Sequence, residues 1–571
     1  MRPHAKFVFL LALGFPLLVI GQTSATEDVW TVDLKQGSIE VPRTNAADGT
    51  HFYAFKGIPF AEPPVGDLRF KSPVPAGPWS GIRNGSVPSP ICPQIDLMGF
   101  FSGVFQASGN EDCLYLDVYV PQKNASGLPV MVWIHGGGFI LGGASDFDPS
   151  PLMTEDVVVV IIQYRLGALG FLSTADSVMS GNYGLKDQVM ALRWVQDNIQ
   201  SFGGDRNRVT IFGESAGGMS VHYLMLSPMS EGLFHRAIAQ SGNALVPLAW
   251  SDNSRQTAAA LSRMLDCSES SPDNLNSQAL LDCLKKISPE KLVMSTKAFA
   301  TFMGSYPEVM HPTIDGEFLP EHPAQMLKKG NYHKVNFMAG ITRDEGALMV
   351  RPLMMSEPSR EELANNISTI GPLFMNMDVG PKASPAYVAK RMFAHYIGDF
   401  NITEENADGA VKLFTDHWFA TPLDISGKMH ARDSAYGRRT YLYELHHLGE
   451  FSFLDSPNIT VGKNWVAHGD DLMYLFNRNL QPPISRPNDL FMREIMISLW
   501  TNFARTGNPT PDMSLGFKWV PASTSDQPYL ILQPSPYMKK FTRVQELEFM
   551  TNLPLHQNMI LFPERFASEE K

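Results

Sequence analysis

No cluster of lysine and arginine occurs in this chain of 571 residues, where 58 acidic side chains outnumber 46 basic ones and leave a formal net charge of −12. That balance argues against nucleic acid or an anionic membrane as a partner. The chain also lacks linkers, low-complexity tracts and internal repeats, so residues 26–571 read as a single large domain, and a hydrophobic share of 44% fills a substantial core. Cysteine is scarce, with four residues. In a secreted chain four thiols suggest two disulfides with three possible connectivities, and proximity favours Cys92 with Cys113 and Cys267 with Cys283.

Secretion is expected from the first residues. Met1 to Lys6 carry positive charge, Phe7 to Ile20 are apolar but contain Pro16, and Gly21 to Ala25 are small or polar. This is the pattern of a signal peptide over residues 1–25, too short for a confident membrane span. The ending Ala567-Ser568-Glu569-Glu570-Lys571 follows no long apolar run and is unlike an ER-retention tetrapeptide, so no stable membrane span is expected after cleavage. Sequons at Asn84, Asn124, Asn366, Asn401 and Asn458 suit a glycosylated extracellular protein.

What the chain does have is Gly213-Glu214-Ser215-Ala216-Gly217, a G-x-S-x-G pentapeptide. Alone it is weak, because glycine and serine are common enough to produce it by chance. Its setting carries the weight: Arg208 to Phe212 read as a short buried strand, and Ala216 to Leu226 as a helix stopped at Ser227-Pro228. A serine on a sharp strand-to-helix turn needs neighbours without bulk on both sides, and its hydroxyl then sits at the positive end of the helix. Upstream, the apolar run Pro129 to Ile134 ends in His135-Gly136-Gly137-Gly138-Phe139, where successive backbone N–H groups can turn toward one developing negative charge. Val157 to Ile162 is too apolar for a half-exposed strand and belongs inside a mostly parallel sheet covered on both faces.

A serine nucleophile on such a turn needs an acid and then a histidine later in the chain. The strand Val335 to Gly340 leads into Asp344 and Glu345, and either carboxylate could serve. Seven histidines follow, at 395, 417, 430, 446, 447, 468 and 556. His468 lies in a loop-like stretch beside Gly469, whereas His447 adjoins the strand Tyr441 to Leu445. Met492 to Phe503 forms an apolar helical stripe that ends before Gly507 and Pro509.

Glu111-Asp112-Cys113-Leu114-Tyr115-Leu116, His135 to Phe139, Gln163-Tyr164-Arg165-Leu166-Gly167, Asn182 to Gln188 and Gly213 to Gly218, in that order, resemble the type-B carboxylesterase and cholinesterase family from about Val32 to Phe566. The resemblance implies an α/β-hydrolase fold with eight or more mostly parallel strands and helices on both faces. It places the triad acid at Glu345, the base at His468, and the oxyanion hole at the N–H groups of Gly137, Gly138 and Ala216; His447, set back by its place beside a strand, is the runner-up for the base. Ser241 resembles a serine that the family sets beside the acid. Such chemistry requires neither a metal nor an organic cofactor.

The substrate is less determined. Cholinesterases carry a tryptophan for the quaternary ammonium in the loop matching Cys92 to Cys113, and this loop has none. Leu97 to Phe101, Leu353 to Met355 and Leu373 to Met375 would instead suit a small, uncharged, hydrophobic ester, or are simply core. Juvenile-hormone esterases typically carry Gln where this chain has Glu214. A non-catalytic adhesion ectodomain, which usually loses triad residues, a juvenile-hormone-type esterase and a lipase of the same fold are the alternatives.

Overall fold

A computed structural model of the chain describes residues 28–46, 49–96, 106–299, 302, 310–455, 461–478 and 481–567. The expected leader, Leu97 to Phe101 and Asn458 lie outside the described residues. The strands are β1 Val29–Asp33, β2 Ser38–Asn45, β3 His51–Pro59, β4 Ile82–Asn84, β5 Gln94–Ile95, β6 Ala107–Ser108, β7 Tyr115–Val120 and β8 Leu128–Ile134. They continue as β9 Val158–Ile162, β10 Gly204–Glu214, β11 Arg236–Gln240, β12 Asn336–Thr342, β13 Thr440–Leu445, β14 Tyr529–Leu532 and β15 Tyr537–Lys539. Four helices matter for the site: α1 Tyr183–Asn198, α2 Ala216–Leu226, α3 Thr421–His430 and α4 Pro487–Thr506.

One 13-stranded sheet runs in the order β1-β2-β3-β7-β9-β8-β10-β11-β12-β13-β14-β15, with β4 paired to β2. From β9 through β14 every neighbour is parallel, and the antiparallel pairs sit toward the two edges. Parallel strands need covered faces, and β9 shows why its sequence is apolar throughout. Val158, Val160 and Ile162 pack into one core layer, while Val159 and Ile161 pack into the opposite one. The first layer contains α1 and α2; the second contains the α4 stripe of Met492, Ile495, Met496, Leu499, Trp500 and Phe503. Helix α4 ends at Gly507, whose φ of 75° is the left-handed conformation that glycine adopts without strain.

The parallel strands all deliver their carboxyl ends to the same edge of the sheet, where open α/β sheets bind ligands. Ser215 follows β10, the glycine run follows β8, Glu345 follows β12, and His468 lies in the chain after β13. Disulfides join Cys92 to Cys113 and Cys267 to Cys283. Asn84, Asn124, Asn366 and Asn401 are exposed.

Candidate active site

Ser215 is the single residue between β10 and α2, and its backbone sits at φ 58°, ψ −125°. For a residue with a Cβ that conformation costs on the order of 1–3 kcal/mol, and it persists because the surroundings fix it. The Ser215 N–H donates to Gln240 O at 2.9 Å, and Ser215 O accepts from Met219 N–H at 2.9 Å. Glycine is demanded on both sides. A Cβ at Gly213 would stand 2.6 Å from the carbonyl oxygens of Gly217 and Ile134, and one at Gly217 would collide with Ile134 O. The half-buried serine therefore sits at the N-terminus of a helix whose every residue is buried.

The glycine run comes to the same place. Gly137 and Gly138 take φ of 106° and 60°, and Gly137 O accepts from the N–H groups of Ile140 and Leu141 at 3.0 and 3.1 Å. Among the described residues the N–H groups of Gly137, Gly138 and Ala216 make no turn or loop bond. Beneath them His135 stacks on Tyr164 with ring centroids 4.4 Å apart, and Tyr164 Oη donates to His135 O at 2.9 Å. Burial lowers His135 to about 4, so its ring is neutral near pH 7. Gln94 grips Gly142 at the end of this loop, Nε2 donating to its carbonyl at 2.9 Å and Oε1 accepting its N–H at 2.7 Å.

Glu345, fully buried, accepts at Oε1 from Thr342 N–H at 2.7 Å and from Ser241 Oγ at 2.5 Å. Its Oε2 meets His468 Nδ1 at 2.5 Å. Asp344 points elsewhere: its Oδ2 accepts from Val466 N–H at 2.8 Å and pairs with Arg343 at 2.7 Å. The other histidines are engaged apart from Glu345. His447 meets Asp489 at 2.5 Å, His417 bonds Met375 O, His430 bonds His222, His446 meets Glu444, His556 meets Asp378, and His395 stacks on Phe549.

A carboxylate only accepts, so His468 Nδ1 carries a proton toward Glu345 and Nε2 is the lone-pair nitrogen of the neutral ring. That Nε2 lies 3.1 Å from Glu214 Oε1. Burial lowers His468, but the Glu214 and Glu345 carboxylates outweigh it and hold the imidazole above its ordinary value. Burial raises Glu214, and His468 offsets part of that rise.

The histidine loop is anchored from several sides. Asp470 accepts from the N–H groups of Ala467 and Phe453 at 2.7 and 2.8 Å and from Ser452 Oγ at 2.8 Å. Phe419 packs against the His468 ring at 5.0 Å, from a π-helical turn over Thr415–Ala420 whose Thr415 Oγ1 accepts Gly346 N–H at 2.9 Å. Gln94, Gln240 and Thr415 were not legible as site residues, since each acts through a partner distant in sequence. Of the apolar stretches considered for substrate, Leu353, Phe374 and Met375 are buried, whereas Met355 and Leu373 are exposed. Phe374 packs on Phe414, which packs on Trp418, the neighbour of Phe419.

A model of the carboxylesterase family matches residues 28–550. The chain belongs to the carboxylesterase family. Its sheet of mostly parallel strands with helices on both faces is the α/β-hydrolase fold of that family. It is 40% identical to a juvenile hormone esterase of Tribolium castaneum, over 84% of this chain and 83% of the relative. It is 37% identical to the pyrethroid hydrolase Ces2a of Mus musculus, over 95% and 94%. To a cocaine esterase of Homo sapiens it is 34% identical, over 96% of each. This carboxylesterase is a carboxylic-ester hydrolase acting on small ester substrates. Among the described residues no helix is long and apolar enough to cross a membrane.

Proposed function

We propose that the protein is a secreted serine esterase in which Ser215, His468 and Glu345 form the triad, and that it hydrolyses uncharged, hydrophobic esters through an acyl-enzyme. The observation that carries this reading is the bond from His468 Nδ1 to the buried Glu345, brought to the same sheet edge as a strained Ser215. Ser215 Oγ attacks the ester carbonyl and passes its proton to His468 Nε2; Glu345 orients the ring and supports the imidazolium. The free N–H groups of Gly137, Gly138 and Ala216 stabilise the oxyanion. The imidazolium then protonates the leaving alkoxide, and water attacks the acyl-enzyme with the same nitrogen as base. No step calls on a metal or an organic cofactor. Residues 26–571 act as one domain, and the two disulfides suit an oxidising extracellular compartment.

The preference for uncharged esters rests on the loop from Cys92 to Cys113, which has no tryptophan to face a quaternary ammonium. A panel of chromogenic esters from acetyl to decanoyl, with acetyl- and butyrylcholine beside them, tests it. The choline esters are turned over far less efficiently than uncharged esters of equal acyl length; comparable kcat/KM for the two classes refutes the preference.

A further inference from the structure

Gln240, the last residue of β11, is fully buried, and three of its polar atoms each hold a different part of the site. Its backbone carbonyl accepts the Ser215 N–H at 2.9 Å. Its Oε1 accepts the Trp500 indole N–H of α4 at 3.0 Å, and its Nε2 donates to Asp471 Oδ2 at 2.8 Å. The amide cannot be flipped, because the indole only donates and an ionised carboxylate only accepts. Asp471 follows His468 by three residues, and its Oδ2 also accepts from Tyr443 Oη of β13 at 3.2 Å. One residue thus spans the turn carrying Ser215, the loop carrying His468 and the helix behind both.

We propose that Gln240 is a positioning residue for ester hydrolysis, fixing the His468 loop relative to the Ser215 turn through its bonds to Asp471 and to the Ser215 N–H. The proposal rests on reading Ser215 and His468 as nucleophile and base. The side-chain half of this strut depends on one polarity, donor on Gln240 and acceptor on Asp471, and that polarity can be reversed by substitution. In Gln240→Glu a protonated carboxyl still accepts from Trp500 and donates to Asp471. Once ionised it has no proton to give and faces Asp471, beside Glu345 and His468, with like charge. The double exchange Gln240→Glu with Asp471→Asn restores a donor–acceptor pair with the roles inverted, and the second proton of the new amide is taken by Tyr443 Oη, a hydroxyl that accepts as well as donates.

The experiment measures kcat and KM for a chromogenic ester, and the rate of inactivation by an organophosphate, from pH 5 to 9, with thermal unfolding at each pH. For Gln240→Glu the ratio of its kcat to that of wild type falls as pH rises, by about tenfold or more in all, while KM changes by less than about threefold. The double exchange recovers kcat to within about threefold and removes the pH trend in the ratio. A ratio that is independent of pH in folded Gln240→Glu, or a folded double exchange no more active than the single one, overturns the proposal. Failure of Gln240→Glu to fold at any pH, with the double exchange also unfolded, equally overturns it, since Gln240 is then a folding determinant. Absence of organophosphate labelling at Ser215 in wild type would instead defeat the reading of Ser215 as nucleophile, and the two failures are thereby distinct.

Discussion

His468 Nε2 stands 3.1 Å from Glu214 Oε1, the carboxylate of the residue that precedes the strained serine. With Nδ1–H committed to Glu345, a neutral His468 presents a lone pair to that oxygen, so the contact is attractive only when one proton lies between the two groups. In the proposed mechanism Glu214 thereby competes with Ser215 for the nitrogen that acts as base.

Replacing Glu214 by Gln removes a charge that favours the imidazolium and supplies an amide N–H to the Nε2 lone pair. The His468 value falls toward the ordinary histidine range. Because in the proposed mechanism only the neutral ring accepts the Ser215 proton, kcat/KM rises as pH climbs through this value and is flat above it. The acid limb of Glu214→Gln therefore moves to lower pH, by about one unit or more. An unmoved limb, or one displaced to higher pH, contradicts the assignment.

His468→Gln lowers kcat by about three to four orders of magnitude, because nucleophile and base act as a unit. His447→Gln, at a ring bonded to Asp489, leaves both the rate and the acid limb nearly unchanged. Steady-state kinetics on the two folded variants decide between them; the reverse pattern makes His447 the base.

The two disulfides close similar loops, with sequence separations of 21 and 16 residues, and each stabilises the fold by on the order of 3 kcal/mol. They differ in what they hold. The Cys92 to Cys113 loop carries Gln94, which grips Gly142 beside the glycine run. Cys92→Ser with Cys113→Ser lowers both denaturant resistance and kcat, whereas Cys267→Ser with Cys283→Ser lowers resistance at nearly constant kcat. Equal effects on kcat would contradict a link from Gln94 to the proposed oxyanion donors.

The strands were legible because a sheet covered on both faces demands apolar runs, and Val158–Ile162 satisfies two core layers at once. Strand β10 starts at Gly204, earlier than its apolar stretch suggests, because the polar residues Asp205 to Arg208 precede the part that enters the core. The turn at Ser215 was legible because its constraints lie within a few residues, at Gly213 and Gly217. The choice between Asp344 and Glu345 was not, since adjacent carboxylates differ only in which one turns toward Ser241, 104 residues away from Glu345. Gln94 and Gln240 left no trace in the sequence for the same reason: a buried amide has no local signature, and its partners are set by the fold.

The most direct measurement is the intact mass of the purified protein after treatment with an organophosphate, in wild type and in Ser215→Ala. Wild type gains a single phosphoryl adduct on the peptide containing Ser215 and loses esterase activity in step with it. Ser215→Ala gains no adduct and hydrolyses no ester, and its unfolding midpoint is not lowered. An adduct of equal stoichiometry in Ser215→Ala, or ester hydrolysis retained by that folded variant, would show that the nucleophile is another residue.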